Sequence, residues 1–307
     1  ALCGGWALFW GGGGGGGPRG PGARIAPRRS WNRFRQNPVA LASLAVTVLI
    51  LFFGFGAPLI SEFVTHRGYD QQALLDRFKA PGEDGYILGT DNLGRDVLTR
   101  LAYGGRVSMS VALLAVASAL LIGITLGAVA GYYGRWVDSI IMRIVDVMLA
   151  IPVLFLLIFI NTLFAVSATA LAFVIASVSW MGLARLVRGE VMSLKRRDYV
   201  DAAHVVGASD ARIILRHMLP NIVPIVIVWA TLAVPTFIIT EATLSFLGLG
   251  VQIPTPSWGN MLNDAQPFIS QSWTLVFIPG MMIYITVLAI NLLGNGLRDA
   301  LDPRLAE

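Results

Sequence analysis

The chain has 307 residues, of which 55% are hydrophobic and only 13% charged, and its mean hydropathy is +0.69. Soluble domains carry about 25% charge, so this composition excludes an ordinary cytosolic globule, and uncharged stretches longer than 20 residues point to an integral membrane protein. The apolar content excludes disorder and the single Cys3 excludes a disulfide scaffold, while the net charge of +5, carried by Arg clusters between apolar runs, fits topology signals rather than a nucleic-acid stripe.

Residues 1–30 hold seven consecutive glycines, Gly11–Gly17, flanked by Trp6, Phe9, Trp10 and Pro18. They read as a flexible leader or a translated upstream artefact. A phosphate-cradling loop is not expected there, because no Gly-Lys-Ser/Thr follows. Residues 31–106 carry a first span, the 22 uncharged residues 39–60, and an outer loop. Within that loop Gly89–Asp96 reads as a Gly/Asp turn. Asp96 is expected to cap a helix whose Val97, Leu98 and Leu101 lie along the outer membrane surface.

Residues 107–298 hold five more spans. The second, 107–134, has 28 uncharged residues and places Gly123, Gly127 and Gly131 on one face, where small residues let another helix approach closely. Contact within the chain is the favoured reading over an intersubunit contact. Between Asp146 and Arg185 lie 38 uncharged residues, about 57 Å as one helix against a hydrocarbon core of ~30 Å. That run must fold back, with the turn expected at Asn161-Thr162 and Ser167-Ala168-Thr169. Asp146 stands beside Arg143 at i, i+3 spacing, and a mutual ion pair is favoured over a substrate contact. Pro152 should kink the helix. Residues 221–240 and 273–297 complete six spans. Glu241, at the outer end of span five, has no basic residue nearby in sequence and is read as facing a water-filled path or the headgroups.

Lys and Arg set the orientation. Seventeen fall before span one, in the loops after spans two and four, and after span six; six fall on the other side, all in residues 61–106 beside seven acids. Both termini are therefore expected in the cytoplasm, residues 299–307 forming a cytoplasmic tail. Neither Lys79 nor Lys195 belongs to a phosphate-binding loop, His66, His204 and His217 lack metal-ligand spacing, and no nucleophile elbow or Cys/His pair occurs. Neither an enzyme nor a metal or cofactor in this chain is expected.

The loop 195–220 is the most informative stretch. Asp198 is expected to cap a short helix whose Tyr199, Ala202, Ala203 and Val206 form one apolar face. Gly207 stops it in the left-handed conformation, Ser209 caps a second helix, and Pro220 suits the first turn of span five. The apolar face either lies on lipid or docks into a groove of another protein.

The series Asp201-Ala202-Ala203, Gly207, Leu219-Pro220 resembles the EAA loop of permease subunits in binding-protein-dependent ABC importers, with Asp201 in place of the usual Glu and His217 at an apolar position of the pattern. Three further stretches, 88–96, 244–250 with Pro256-Ser257-Trp258-Gly259, and 296–304, are similar to the C-type subunit of dipeptide/oligopeptide permeases; together the resemblance covers about residues 30–307. It implies an all-α integral membrane protein of the type I ABC importer permease fold. It also implies a bacterial or archaeal cytoplasmic membrane, a homologous permease partner, two cytoplasmic ATPase subunits that bind ATP and Mg, and an extracytoplasmic substrate-binding protein. The helix in the loop would be the coupling helix, with Tyr199, Asp201, Ala202, Ala203, Val206, Gly207, Leu219 and Pro220 at the ATPase. Nickel, haem-like or oligosaccharide cargo fits the same architecture as peptides. A secondary transporter would show broken helices in inverted halves, and a channel a filter or charged ring; neither pattern is evident.

Overall fold

The computed structural model describes residues 27–163 and 167–301. The glycine run, the middle of the expected fold-back turn and the final tail residues, Pro303 and Arg304 among them, lie outside the described residues.

The described residues open with two helices, α1 (Pro27–Gln36) and α2 (Pro38–Phe55). Asn37 separates them: its side-chain oxygen accepts from the Val39 and Ala40 amides at 3.0 and 3.1 Å, and Pro38 takes the first helical position, where a missing N–H costs nothing. After the outer segment, α3 (Val97–Tyr133) runs 37 residues. Then come α4 (Arg135–Leu149) and α5 (Val153–Leu163), meeting at 88° across a break that contains Pro152. α6 (Ala168–Lys195) is capped by the Ser167 hydroxyl, and a short α7 (Asp198–Val205) leads into α8 (Asp210–Phe246). α9 (Trp258–Ala265) and α10 (Thr274–Leu301) complete the fold. Five helices (α2, α3, α6, α8 and α10) are long and apolar enough to cross a membrane, and the bent pair α4–α5, counted as one span, makes six. Among the described residues the only β-type pairing is one isolated bridge, Thr90 to Asp96.

Two boundaries differ from the sequence reading. The helix expected on the outer membrane surface is instead the first turns of α3. Asp96 does cap it, Oδ1 accepting from the Thr99 amide at 2.7 Å, but Val97 and Leu101 are buried against Trp258, Met261 and Leu275. Of the two charges that precede the uncharged window, Arg106 is exposed and Arg100 is neutralised, lying 3.4 Å from both Asp91 and Asp264. Gly104 and Gly105 make room for the Trp258 ring, since a Cβ on Gly105 would sit 2.7 Å from it. The second difference is that the helix expected after Ser209 is not separate from span five. One 37-residue helix runs from Asp210 to Phe246. Its π turn, Ile213–Met218, immediately precedes Leu219 and Pro220. Widening to i→i+5 bonding there accommodates a residue that lacks an N–H and crowds the preceding turn.

The centre of the bundle is the α3–α6 seam. Gly123, Gly127 and Gly131 all face α6: a Cβ on them would lie 2.9 Å from Leu183, 2.6 Å from the Ala184 carbonyl oxygen and 2.8 Å from the Arg188 carbonyl oxygen. In lipid no hydrophobic force drives helices together, so close dispersion contact of this kind holds the seam.

Candidate functional site: the loop between α6 and α8

At one end of the bundle α7 stands between two long helices. Its N-cap residue is Arg197, with extended backbone and no side-chain cap. Asp198, expected as the cap, is instead the first helical residue, where its charge still favours the helix dipole. Val200 is fully buried, in an apolar cluster with Val191, Ile213, Met218 and Ile222, and Ala203 packs against the same cluster. The outward face is therefore Tyr199, Asp201, Ala202, Val205 and Val206, the two valines being 88% and 86% exposed. This corrects the expected face in one respect. Ala203 turns toward the bundle, and Val205, which the sequence reading left out, takes its place outside.

The helix ends in a Schellman motif. Gly207 has φ +82°, its amide donates to the His204 carbonyl at 2.9 Å, and the Ala208 amide donates to the Ala203 carbonyl at 3.0 Å. No atom lies within 4 Å of where a Gly207 Cβ would be, so glycine is demanded by backbone conformation alone. Ser209 follows with extended backbone at the N-cap of α8, without a side-chain bond. Leu219 packs against the Val200 cluster, whereas Pro220 is exposed.

Four residues gather around this loop that no local pattern marks: Tyr132 at the end of α3, Lys195 at the end of α6, His204 on α7 and Asp210 at the start of α8. They are brought together from positions 63 to 78 residues apart in sequence. Beside them, Arg188 of α6 grips Asp138 of α4 through two of its nitrogens. Asp146 pairs with Arg185 of α6, not with Arg143 as its spacing suggested, because α4 packs along α6. That pair is about half exposed, and such pairs contribute about 0–1 kcal/mol.

Glu241 is remote from this loop, and its surroundings correct the sequence reading. Its side chain is fully buried rather than facing water or headgroups. Ser108 of α3 donates to Oε2 at 2.7 Å and Ser245 to Oε1 at 2.7 Å. The Trp258 amide donates to the Ser108 hydroxyl oxygen at 3.3 Å, and the Val251 amide to that of Ser245 at 3.2 Å. The motif residues Ser245, Ser257 and Trp258 thus build one clasp: Ser257 caps α9 reciprocally with Asn260, and the Trp258 indole donates to the Leu101 carbonyl at 3.0 Å. In the outer half of α8, Thr236, Thr240 and Thr243 are exposed wholly or in part and share one face at i, i+4, i+7 spacing.

The outer segment has its own polar lock. Lys79 lies 2.5 Å from Asp76 and from Asp84, and Tyr86 donates to Asp76 at 2.9 Å. The hydrogen bond from Lys79 holds the Asp76 carboxyl below its usual range and raises the Lys79 ammonium, while burial pushes the Tyr86 phenol up. Among the described residues no group of three or more His, Cys, Asp or Glu is placed to hold a metal ion.

Residues 123–307 match the family described as binding-protein-dependent transport system inner membrane component, and residues 28–81 match the N-terminal TM domain of oligopeptide transport permease C. The chain is 41% identical over 279 residues to the dipeptide transport system permease protein DppC of Alkalihalophilus pseudofirmus, covering 91% of this chain and 90% of that one. It is 42% identical to the oligopeptide transport system permease protein OppC of Escherichia coli, covering 89% of each chain. It is 38% identical to the glutathione transport system permease protein GsiD of Pectobacterium atrosepticum, covering 94% of each. Among solved structures, an inward-facing MetNI methionine ABC transporter aligns with a TM-score of 0.54 at 16% identity, covering 66% of this chain and 96% of that chain. At that identity the likeness speaks for the fold, that of a type I ABC importer permease.

Proposed function

The chain belongs to the binding-protein-dependent transport system inner membrane component family, and from that premise we propose that it is the permease subunit of an ATP-driven peptide importer. Membership makes it a multi-pass transport permease that works in a membrane complex with other subunits, and not an enzyme. In our reading it pairs with a homologous permease chain, receives cargo from an extracytoplasmic binding protein, and leaves ATP and Mg to two cytoplasmic ATPase subunits. Both termini and α7 then lie in the cytoplasm, which the 17-to-6 partition of basic residues supports. Peptides are the favoured cargo because the relatives reported above carry dipeptide, oligopeptide and glutathione in their names. None of those names supports nickel, haem-like or oligosaccharide cargo.

The observation that carries the reading is the outward face of α7. Tyr199, Ala202, Val205 and Val206 stand exposed at the tip of a loop whose other face is anchored by Val200. A short helix with small side chains at its tip can enter a groove on an ATPase subunit deeply. Asp201, exposed beside them, adds at most about 1 kcal/mol through a basic partner. We assign this chain's share of the transport path to the Thr236/Thr240/Thr243 face of α8 instead of Asp146 or Glu241.

The test is uptake measured alongside ATP hydrolysis in vesicles reconstituted with the full complex. Ala202→Trp should lower uptake per ATP hydrolysed strongly, and Asp201→Asn only in part. Ala203→Trp is a poorer probe, because Ala203 packs inward. Normal coupling in Ala202→Trp would show that α7 does not dock.

A further inference from the structure

We propose that Tyr132 is the clip that fastens α7 to the bundle, a positioning residue through which movement of the docking helix reaches α3. The proposal rests on the reading of α7 as that docking helix.

Backbone hydrogen bonds shape α7 and its elbow but do not tie it to α3 or α6. Its N-terminal junction has no side-chain cap, and its C-terminal junction turns on Gly207 at φ +82°. Val200 anchors it, but an apolar contact has no direction and yields to sliding. Directional contacts come from Tyr132, which is only 4% exposed at the penultimate position of α3. Its hydroxyl donates to Asp210 Oδ1 at 2.6 Å, and His204 Nε2 lies 3.4 Å from the Tyr132 hydroxyl oxygen. Its ring stacks on His204 with centroids 6.4 Å apart and planes 22° apart. One side chain therefore touches both sides of the Gly207 elbow, His204 before it and Asp210 after it.

The same residue is tied to α6. The Lys195 ammonium donates to the Tyr132 carbonyl oxygen at 2.6 Å and lies 5.2 Å from the ring centroid. That carbonyl is one of the four that an α-helix leaves unpaired at its C-terminus, where a cation is also favoured by the helix dipole. The ends of α3 and α6, the helix α7 and the start of α8 are thus joined at one residue, through its phenol and its carbonyl. Displacement of α7 along the membrane plane must stretch the Asp210 hydrogen bond and shear the His204 stack, and so pulls on α3.

Tyr132→Phe keeps the ring and its packing and removes the hydroxyl alone. In the reconstituted complex it should lower uptake per ATP hydrolysed by about tenfold, the scale of one lost hydrogen bond to a charged acceptor. Asp210→Asn, which keeps an acceptor oxygen, should retain more than half of the wild-type ratio. A wild-type ratio in Tyr132→Phe overturns the proposal. So does a parallel fall of uptake and hydrolysis with loss of assembled complex, which marks Tyr132 as merely structural. Ala202→Trp in the same assay separates the two readings: uncoupling there beside normal coupling in Tyr132→Phe leaves α7 docked and removes only the clip.

Discussion

Ser108 on α3 donates a 2.7 Å hydrogen bond to Glu241 on α8, joining two spans across 133 residues of sequence. With Ser245 on the second carboxylate oxygen, both oxygens of a fully buried group are occupied. A buried carboxylate without partners would be prohibitive, so these hydroxyls are what make Glu241 tolerable where it sits. Glu241→Leu would leave both hydroxyls without their acceptor, at about 1–3 kcal/mol for each unsatisfied group. Glu241→Gln keeps an acceptor oxygen. We expect thermal unfolding of the complex in detergent to shift down clearly for Leu and less for Gln. Thr240→Trp, on the exposed face of the same helix, should instead lower uptake with little change in unfolding temperature. Wild-type stability in Glu241→Leu would contradict a structural role for the carboxylate.

The α3–α6 seam gives a contrast between glycines. Gly127→Ala places a Cβ 2.6 Å from the Ala184 backbone oxygen, which cannot rotate aside. Gly189, also helical, has nothing within 4 Å of its would-be Cβ. Gly127→Ala should therefore lower the unfolding temperature, whereas Gly189→Ala should hold or raise it, alanine being favoured over glycine in a helix by about 1 kcal/mol. Equal effects at the two sites would refute the packing role of Gly127.

Orientation is accessible to chemical labelling. In a background with Cys3→Ser, single cysteines at Gln72 and Gln266, both exposed, should react with an impermeant maleimide applied to sealed cells, and one at exposed Ala211 should not. Reaction at position 211 in intact cells would invert the topology and remove α7 from the cytoplasm.

The spans were largely legible because hydropathy is a property of a window, and the length of the run between Asp146 and Arg185 forced a fold-back by geometry alone. Gly207 was legible too, since a φ of +82° selects glycine whatever its neighbours are. The start of α3 was not. The uncharged window opens only after Arg106, and Arg100 reads as a further charge outside any span until Asp264, 164 residues away, is seen beside it. The inward face of α7 was illegible for another reason: Val200 and Ala203 on one side, and Ala202, Val205 and Val206 on the other, are all apolar, so periodicity over eight residues cannot choose between them. Both Glu241 and Tyr132 owe their surroundings to long-range packing, for which no local spacing gives a signal.

The 37 residues of α3 contain no proline, and the helix is pinned near both ends, by the Trp258 clasp at one and by Tyr132 at the other. A regular α-helix so held resists bending, and its glycines are filled by neighbours instead of left as hinges. α8 is different, with a π turn and with Pro224 and Pro235 inside it, and α4 and α5 are already broken at 88°. Shape change in this chain is therefore expected in those two places and at Pro279 inside α10, with α3 as the stiff strut against which they flex.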